Sequence, residues 1–266
     1  MLLNNSFRVQ FITPSKGLLQ KPEILNRKER KPPLLPSKGE KSQRTQSVND
    51  VIAGNDPQSP VQRLALGDSC FRRNDGVVRI ALEGGCRWIQ LRMKDASLEE
   101  VEQVSLRLKP LCKSYNAVFL LNDHAELCKK IGADGVHLGK TDMNPREARQ
   151  LLGTDFIIGS TCNTFEDIEN LKNTQIDYIG LGPFRFTETK QNLSPILGLE
   201  GYKNIVSQCK KSNINIPIVA VGGITADDVV PILQTGIDVI ALSSAILRAE
   251  DPREEMNKIN KKIWTI

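Results

Sequence analysis

From about residue 75 to the C-terminus, short apolar runs alternate with longer segments whose apolar positions recur at helical spacing. The runs are Trp88 to Arg92, Val118 to Asn122, Gly135 to Leu138, Phe156 to Gly159, Tyr178 to Leu181, Ile216 to Val221 and Val239 to Leu242. Most are nearly continuous in apolar residues, as expected of strands buried on both faces of a parallel sheet. Helix-like segments that end in Gly or Asn lie between them. Val77 to Leu82 closes at Gly84-Gly85, and Ser97-Leu98-Glu99-Glu100 is a capping box. The helix that this box opens carries Leu98, Val101, Leu108 and Leu111 on one side, and Pro110 is expected to kink or end it. Three strands share one entry, with Asp134, Asp177 or Asp238 immediately before the run. Self-similar βα units of this kind build a parallel α/β sheet.

Seven strands follow residue 85, and the alternating run Val9 to Thr13 supplies an eighth. The expectation is therefore an α/β fold, a (β/α)8 TIM barrel forming a single domain. Residues 1–13 hold the first strand, 14–74 an insertion in the first βα loop, and 75–266 the remainder of the barrel. The insertion holds seven of the fourteen prolines, charge-rich pieces such as Asn26 to Lys31, and no sustained period. Such a segment buries too little apolar surface to offset its ordering entropy, so it reads as largely disordered. Lengthening a loop tenfold costs roughly 2 kcal/mol of closure entropy, which a barrel tolerates. The competing reading makes residues 1–74 a foreign leader and leaves seven strands.

Composition narrows the function classes. The chain is 39% hydrophobic and 25% charged, as a globular protein should be. Apolar runs of about five to seven residues are too short for a bilayer, which needs roughly 18, and no charged n-region precedes an apolar stretch. A cytoplasmic protein that touches no membrane is expected. The six cysteines are scattered without a Cys-x-x-Cys pair and read as buried free thiols in a reducing compartment. Residues 1–75 hold thirteen basic against seven acidic side chains, so of the net +5 the remaining residues carry minus one. The basic surplus belongs to the N-terminal segment, which argues against nucleic acid as a partner.

In parallel barrels the reactive groups lie at the C-terminal ends of the strands. There stand Gln90, Arg92 and Lys94 after strand two, which project to one side if the strand continues through them, and Asn122 and Asp123 after strand three. Asp142 follows strand four, and Ser160 and Thr161 strand five. The loop Thr187-Glu188-Thr189-Lys190 follows strand six, opened by Gly182-Pro183, then Gly222-Gly223 and Ser243-Ser244 after strands seven and eight. Glycines and a helix start suit a phosphate, and Arg92, Lys94 and Lys190 suit a second anion. Asp123 and Asp142 are hard oxygen donors fit to share one Mg²⁺, so the set points to diphosphate chemistry. Blander readings stand beside each. Asp123 and Asp142 also serve as caps, Gly222-Gly223 as a tight turn, and Ser243-Ser244 as N-caps. His137 reads as a hydrogen-bonded core histidine and His124 as a solvated helix-start residue.

Taken together, Gln90-Leu91-Arg92-Met93-Lys94, Asn122-Asp123, Gly135 to Asp142, Gly180 to Pro183 with Thr187 to Lys190, and Gly222-Gly223-Ile224 resemble the thiamine-phosphate synthase family. The resemblance implies a transferase that joins 4-amino-5-hydroxymethyl-2-methylpyrimidine diphosphate to 4-methyl-5-(2-hydroxyethyl)thiazole phosphate, releasing pyrophosphate. It implies that Gln90, Leu91, Arg92, Met93, Lys94, Asn122, Thr161 and Lys190 hold the pyrimidine diphosphate. Thr187, Glu188, Thr189, Gly223, Ser243 and Ser244 would hold the thiazole phosphate, and Asp123 and Asp142 would bind Mg²⁺. Arg92, Lys94 and Lys190 are the implied catalytic cations. Thr161 stands where the family often has Ser, His124 where it more often has Arg or Asp, and the insertion is foreign to the pattern. Two other readings are a thiazole tautomerase of the same superfamily and a non-catalytic barrel that binds a phosphate ligand. The tautomerase uses a histidine where this chain has Cys162-Asn163-Thr164.

Overall fold

A computed structural model describes residues 9–12, 75–186 and 195–264 of the chain. The expected insertion at 14–74 lies outside the described residues. Strand β1 is Val9–Ile12, and helix α1, over residues 75–83, leads into β2, Trp88–Leu91. Then follow α2 Leu98–Ser114, β3 Val118–Asn122, α3 Ala125–Ile131, β4 Gly135–Leu138, α4 Pro145–Leu152, β5 Ile157–Cys162 and α5 Phe165–Leu171. The remaining elements are β6 Tyr178–Leu181, α6 Gly198–Lys211, β7 Ile218–Ala220, α7 Val229–Leu233, β8 Val239–Leu242, α8 Ser244–Leu247 and α9 Pro252–Trp264. Every strand pair is parallel, the order follows the sequence, and β1 pairs with both β2 and β8. This is a TIM-like parallel α/β fold.

Alternate strand residues face inward or outward, so two apolar layers form. Trp88, Leu120, Tyr178, Val219, Val239 and Ala241 fill the ring, with Trp88 edge-on to Tyr178 at 4.9 Å between ring centroids. The larger layer packs the outward strand residues, such as Ile89, Leu121, Val136, Ile179 and Ile240, against the helices.

Local signals set most boundaries. Ser97 Oγ accepts from Glu100 N–H while the Glu100 carboxylate accepts from Ser97 N–H, so the predicted capping box is formed. Of the two outcomes expected at Pro110, the helix does not end there and runs on to Ser114. Pro110 and Leu106, whose carbonyl loses its partner to the missing N–H, both lie on the exposed face, where solvent replaces the bond. Leu98 is also exposed, and the buried stripe is Val101, Val104, Ser105, Leu108 and Cys112. Strand bounds shift as well. β2 stops at Leu91, so Arg92 and Lys94 stand in the loop beyond it. β5 continues to Cys162 and takes in Ser160 and Thr161, while β7 keeps only Ile218–Ala220.

The shared Asp entries have a structural cause. Oδ2 of Asp134, Asp177 and Asp238 accepts from the N–H of Phe119, Ile158 and Ile218 at 2.7, 2.7 and 2.8 Å. Each aspartate thus satisfies an N–H on the preceding strand, and its own N–H donates to the carbonyl of that same residue. Arg149 ties the same end together. Its guanidinium donates to the carbonyls of Gly153, Phe156 and Gln175 and to Asp177, at 2.7 to 3.0 Å.

Candidate active site at the C-terminal strand ends

At the opposite end of the strands the carboxylates face each other. Asp123 ends β3 with φ +71°, a left-handed conformation that Asp adopts more readily than most residues. It caps no helix, because His124 holds the N-cap position of α3. Its side chain accepts from Asn122 Nδ2, meets Lys94 Nζ at 3.3 Å and shares a hydrogen bond with Asp142. Asp142 does not cap α4 either, since Asn144 does so by accepting from Arg146 N–H at 2.9 Å. Asp142 Oδ2 instead accepts from Gly139 N–H at 2.6 Å.

Two neighbouring carboxyl groups titrate apart, because charge on one disfavours charge on the other. Burial alone would raise Asp123, but the hydrogen bond from Asp142, the Lys94 ammonium and Asn122 hold it below the usual carboxylate range. Asp142 moves upward, through burial first and then the hydrogen bond to Asp123. Asp142 thus binds a proton more readily than Asp123 does. Half-buried Arg92 is moved downward by burial, against the pull of Asp123 and Asp95. Two cations and two half-buried carboxyl groups converge on the mouth of β2, β3 and β4.

Beneath them runs a buried amide chain. Gln10 Nε2 donates to Gln90 Oε1 at 2.9 Å, and Gln90 Nε2 to Asn122 Oδ1 at 2.6 Å. Gln90 is only 2% exposed and its amide is engaged on both sides. Leu91 and Met93 pack into the outer core layer, so what they offer a ligand is backbone. Thr161 is half-buried in β5, where Oγ1 lies 3.0 Å from His137 Nε2, while His137 Nδ1 lies 2.9 Å from the Tyr178 hydroxyl. His137 is thus a hydrogen-bonded histidine inside the ring, as its place in the strand suggested.

The loops after β6 and β7 form the other half of the mouth. Gly222 and Gly223 both have left-handed φ, +96° and +68°, so two successive backbone groups turn where a side chain would be strained. A Cβ on Gly222 would also meet Pro183 Cβ at 2.8 Å. Phe184 N–H donates to Val221 carbonyl and Arg185 N–H to Gly222 carbonyl, at 2.9 and 3.0 Å. Arg185, which no sequence pattern flagged, donates to Gly223 carbonyl and takes Asp228 in a two-pronged pair, all at 2.8 Å. Asp228 also accepts from the N–H and hydroxyl of Thr225. Burial opposes it, but Arg185 and Thr225 bring the Asp228 carboxyl down to about 2. Ser243 and Ser244 stand after β8, beside the glycine turn, and Ser243 makes no side-chain cap bond. Thr187, Glu188, Thr189 and Lys190 lie outside the described residues.

Fold and site together define a TIM-like α/β-barrel protein whose C-terminal strand ends combine paired carboxylates, clustered cations and a glycine turn. The sequence pattern of the family described as thiamine monophosphate synthase matches residues 67–246. A thiamine-phosphate synthase of Bacteroides thetaiotaomicron is 63% identical over 180 residues, 68% of this chain and 86% of that protein. One of Flavobacterium johnsoniae is 47% identical over 184 residues, 69% of this chain and 87% of that protein. The solved thiamine phosphate pyrophosphorylase of Pyrococcus furiosus is 26% identical with a TM-score of 0.68, covering 98% of this chain and 97% of that one. The chain belongs to the thiamine monophosphate synthase family.

Proposed function

We propose that this protein acts as a thiamine-phosphate synthase from a complete (β/α)8 barrel. It would join the pyrimidine diphosphate to the thiazole phosphate with loss of pyrophosphate. The observation that carries the reading is the pair Asp123–Asp142 set against Lys94 and Arg92. A half-buried acid pair is suited to a hard dication, beside which both groups can ionise. Asp123 and Asp142 would therefore hold Mg²⁺, which when bound neutralises charge on phosphate oxygens. Lys94 and Arg92 stand where the diphosphate leaves as the C–O bond breaks heterolytically, and they stabilise the negative charge that builds there. The pyrimidine ring carries the cation left behind, and the thiazole nitrogen attacks it. No side-chain nucleophile is needed. The glycine turn and Ser243-Ser244 offer the thiazole phosphate backbone N–H and hydroxyl donors.

The role of Lys190 on the departing pyrophosphate belongs to the same reading. The loop after β5 favours this chemistry over the tautomerase. Its three residues are engaged structurally: the Cys162 thiol is pushed up to about 12 by burial, Asn163 donates to Gly182 carbonyl, and Thr164 caps α5. The five described cysteines are buried and form no disulfide among the described residues, as suits a cytoplasmic enzyme, and no described helix is long and apolar enough to cross a membrane. Pyrophosphate release by the purified chain, given both substrates and titrated with Mg²⁺, tests the proposal. Release is expected only with both substrates and the metal, and its absence overturns the reading.

A further inference from the structure

The glycine turn after β7 is held from both ends, and the holding decides where its N–H groups point. Arg185 N–H donates to the Gly222 carbonyl at 3.0 Å, and Arg185 Nη1 donates to the Gly223 carbonyl at 2.8 Å. One residue thus takes two successive carbonyls. Both peptides are trans, and across a planar trans peptide the N–H points opposite to the C=O. The N–H groups of Gly223 and Ile224 are therefore turned away from the donors of Arg185. Among the described residues no protein acceptor takes either of them. The Ile224 side chain is buried in the outer core layer. One residue further on, Asp228 Oδ2 accepts from the Thr225 N–H at 2.8 Å and its hydroxyl at 2.7 Å. Residues 222 to 225 are fixed by these bonds, and two adjacent backbone donors are left over.

Arg185 is itself braced. Its guanidinium meets both Asp228 oxygens at 2.8 Å and lies over the Phe184 ring, 4.9 Å from the centroid. A Cβ on Gly223 would come within 3.0 Å of Arg185 Cβ and of the Phe186 carbonyl oxygen, so the segment leaving β6 lies directly against the turn. Asp228 compensates the guanidinium charge, and what Arg185 gives the turn is its rigid fork of donors. We propose that Arg185, braced by Asp228, is a positioning residue that presents the Gly223 and Ile224 N–H groups to the phosphate monoester of the thiazole substrate. Successive N–H groups in a turn form an anion-binding concavity, and one fixed in advance needs no ordering when the ligand arrives. The identity of the ester rests on the synthase reading; the orientation of the turn does not.

Titration of the ¹⁵N-labelled full-length protein with the thiazole phosphate provides the test. In wild type the amide signals of Gly223 and Ile224 should shift as the ligand is added, and a titration that moves neither overturns the proposal. Arg185→Met keeps an apolar stem over Phe184 and removes the fork. There Kd for the thiazole phosphate should rise about tenfold, the scale of one or two hydrogen bonds to a charged ligand. Kd for the pyrimidine diphosphate should stay within about twofold, which a general loosening of the barrel would not spare. If Arg185→Met does not fold, Arg185→Lys serves, since an ammonium cannot span the Gly223 carbonyl and both Asp228 oxygens. An unchanged Kd for the thiazole phosphate in either folded variant overturns the proposal. A protein that binds this ester through Arg185 but never releases pyrophosphate would sink the synthase reading alone. An active enzyme whose affinity for the ester ignores Arg185 would sink this inference alone.

Discussion

Aspartates stand at both ends of the strands, and they do opposite things. At the N-terminal end Asp134, Asp177 and Asp238 each accept from a backbone N–H of the neighbouring strand. At the C-terminal end Asp123 and Asp142 are bonded to each other, with Lys94 alongside. The first set satisfies donors the fold itself creates, so its charge is used up in holding strands in register. The second set concentrates charge that the fold does not need, which is costly unless a ligand completes it. One residue type marks stability at one rim and chemistry at the other.

Substitutions should separate the two rims. The largest effect is expected for Asp123→Asn, which should lower turnover by about a hundredfold or more, in the range of losing one key electrostatic group, with thermal stability retained. Turnover across a Mg²⁺ titration, with a melting curve beside it, checks this; unchanged kinetics would remove Asp123 from the site. Arg149→Met should do the reverse. It strips charge-assisted bonds from three carbonyls and Asp177 and should cost about 3 kcal/mol of stability, while kcat stays near wild type in the folded fraction. Denaturant unfolding reads that loss. Asp238→Ala leaves the half-buried N–H of Ile218 without its carboxylate and should cost about 1–2 kcal/mol by the same measurement.

The smallest effect is electrostatic. The Asp228 carboxyl is lowered from 3.8 to about 2 in the folded protein, so its contribution is present above pH 4 and fades as the pH falls towards 2. The stability difference between wild type and Arg185→Gln should therefore shrink over that window. A difference that stays constant down to pH 2 would show that Arg185 acts through packing on Phe184, over whose ring its guanidinium lies at 4.9 Å, rather than through charge.

Much of this was legible in the chain. The buried runs, the capping box at Ser97 and the repeated Asp entries are local patterns that show in sequence whatever their neighbours. The pairing of Asp123 with Asp142 could be anticipated only because consecutive parallel strands lie side by side. Pro110 and Leu98 misled because local rules assume a uniform helix surface, and which face meets water is a tertiary matter. Arg149 left no signal, since its partners are mostly carbonyls, which every residue has, and Arg185 left none because its carboxylate partner Asp228 lies 43 residues away. Gln10 left none either, as its partner Gln90 lies 80 residues away.

The sequence by itself determined the parallel α/β class, most strand positions and the residue types gathered at the strand ends. Those follow from hydrophobic period, capping and turn chemistry, which act over a few residues. Only the tertiary structure decided which aspartates meet a backbone N–H and which meet each other. It also decided which buried amides meet, Gln10 with Gln90 and Gln90 with Asn122. Those choices depend on strand pairing over long stretches of chain, because β1 lies beside β2 and β8 only once the sheet has assembled.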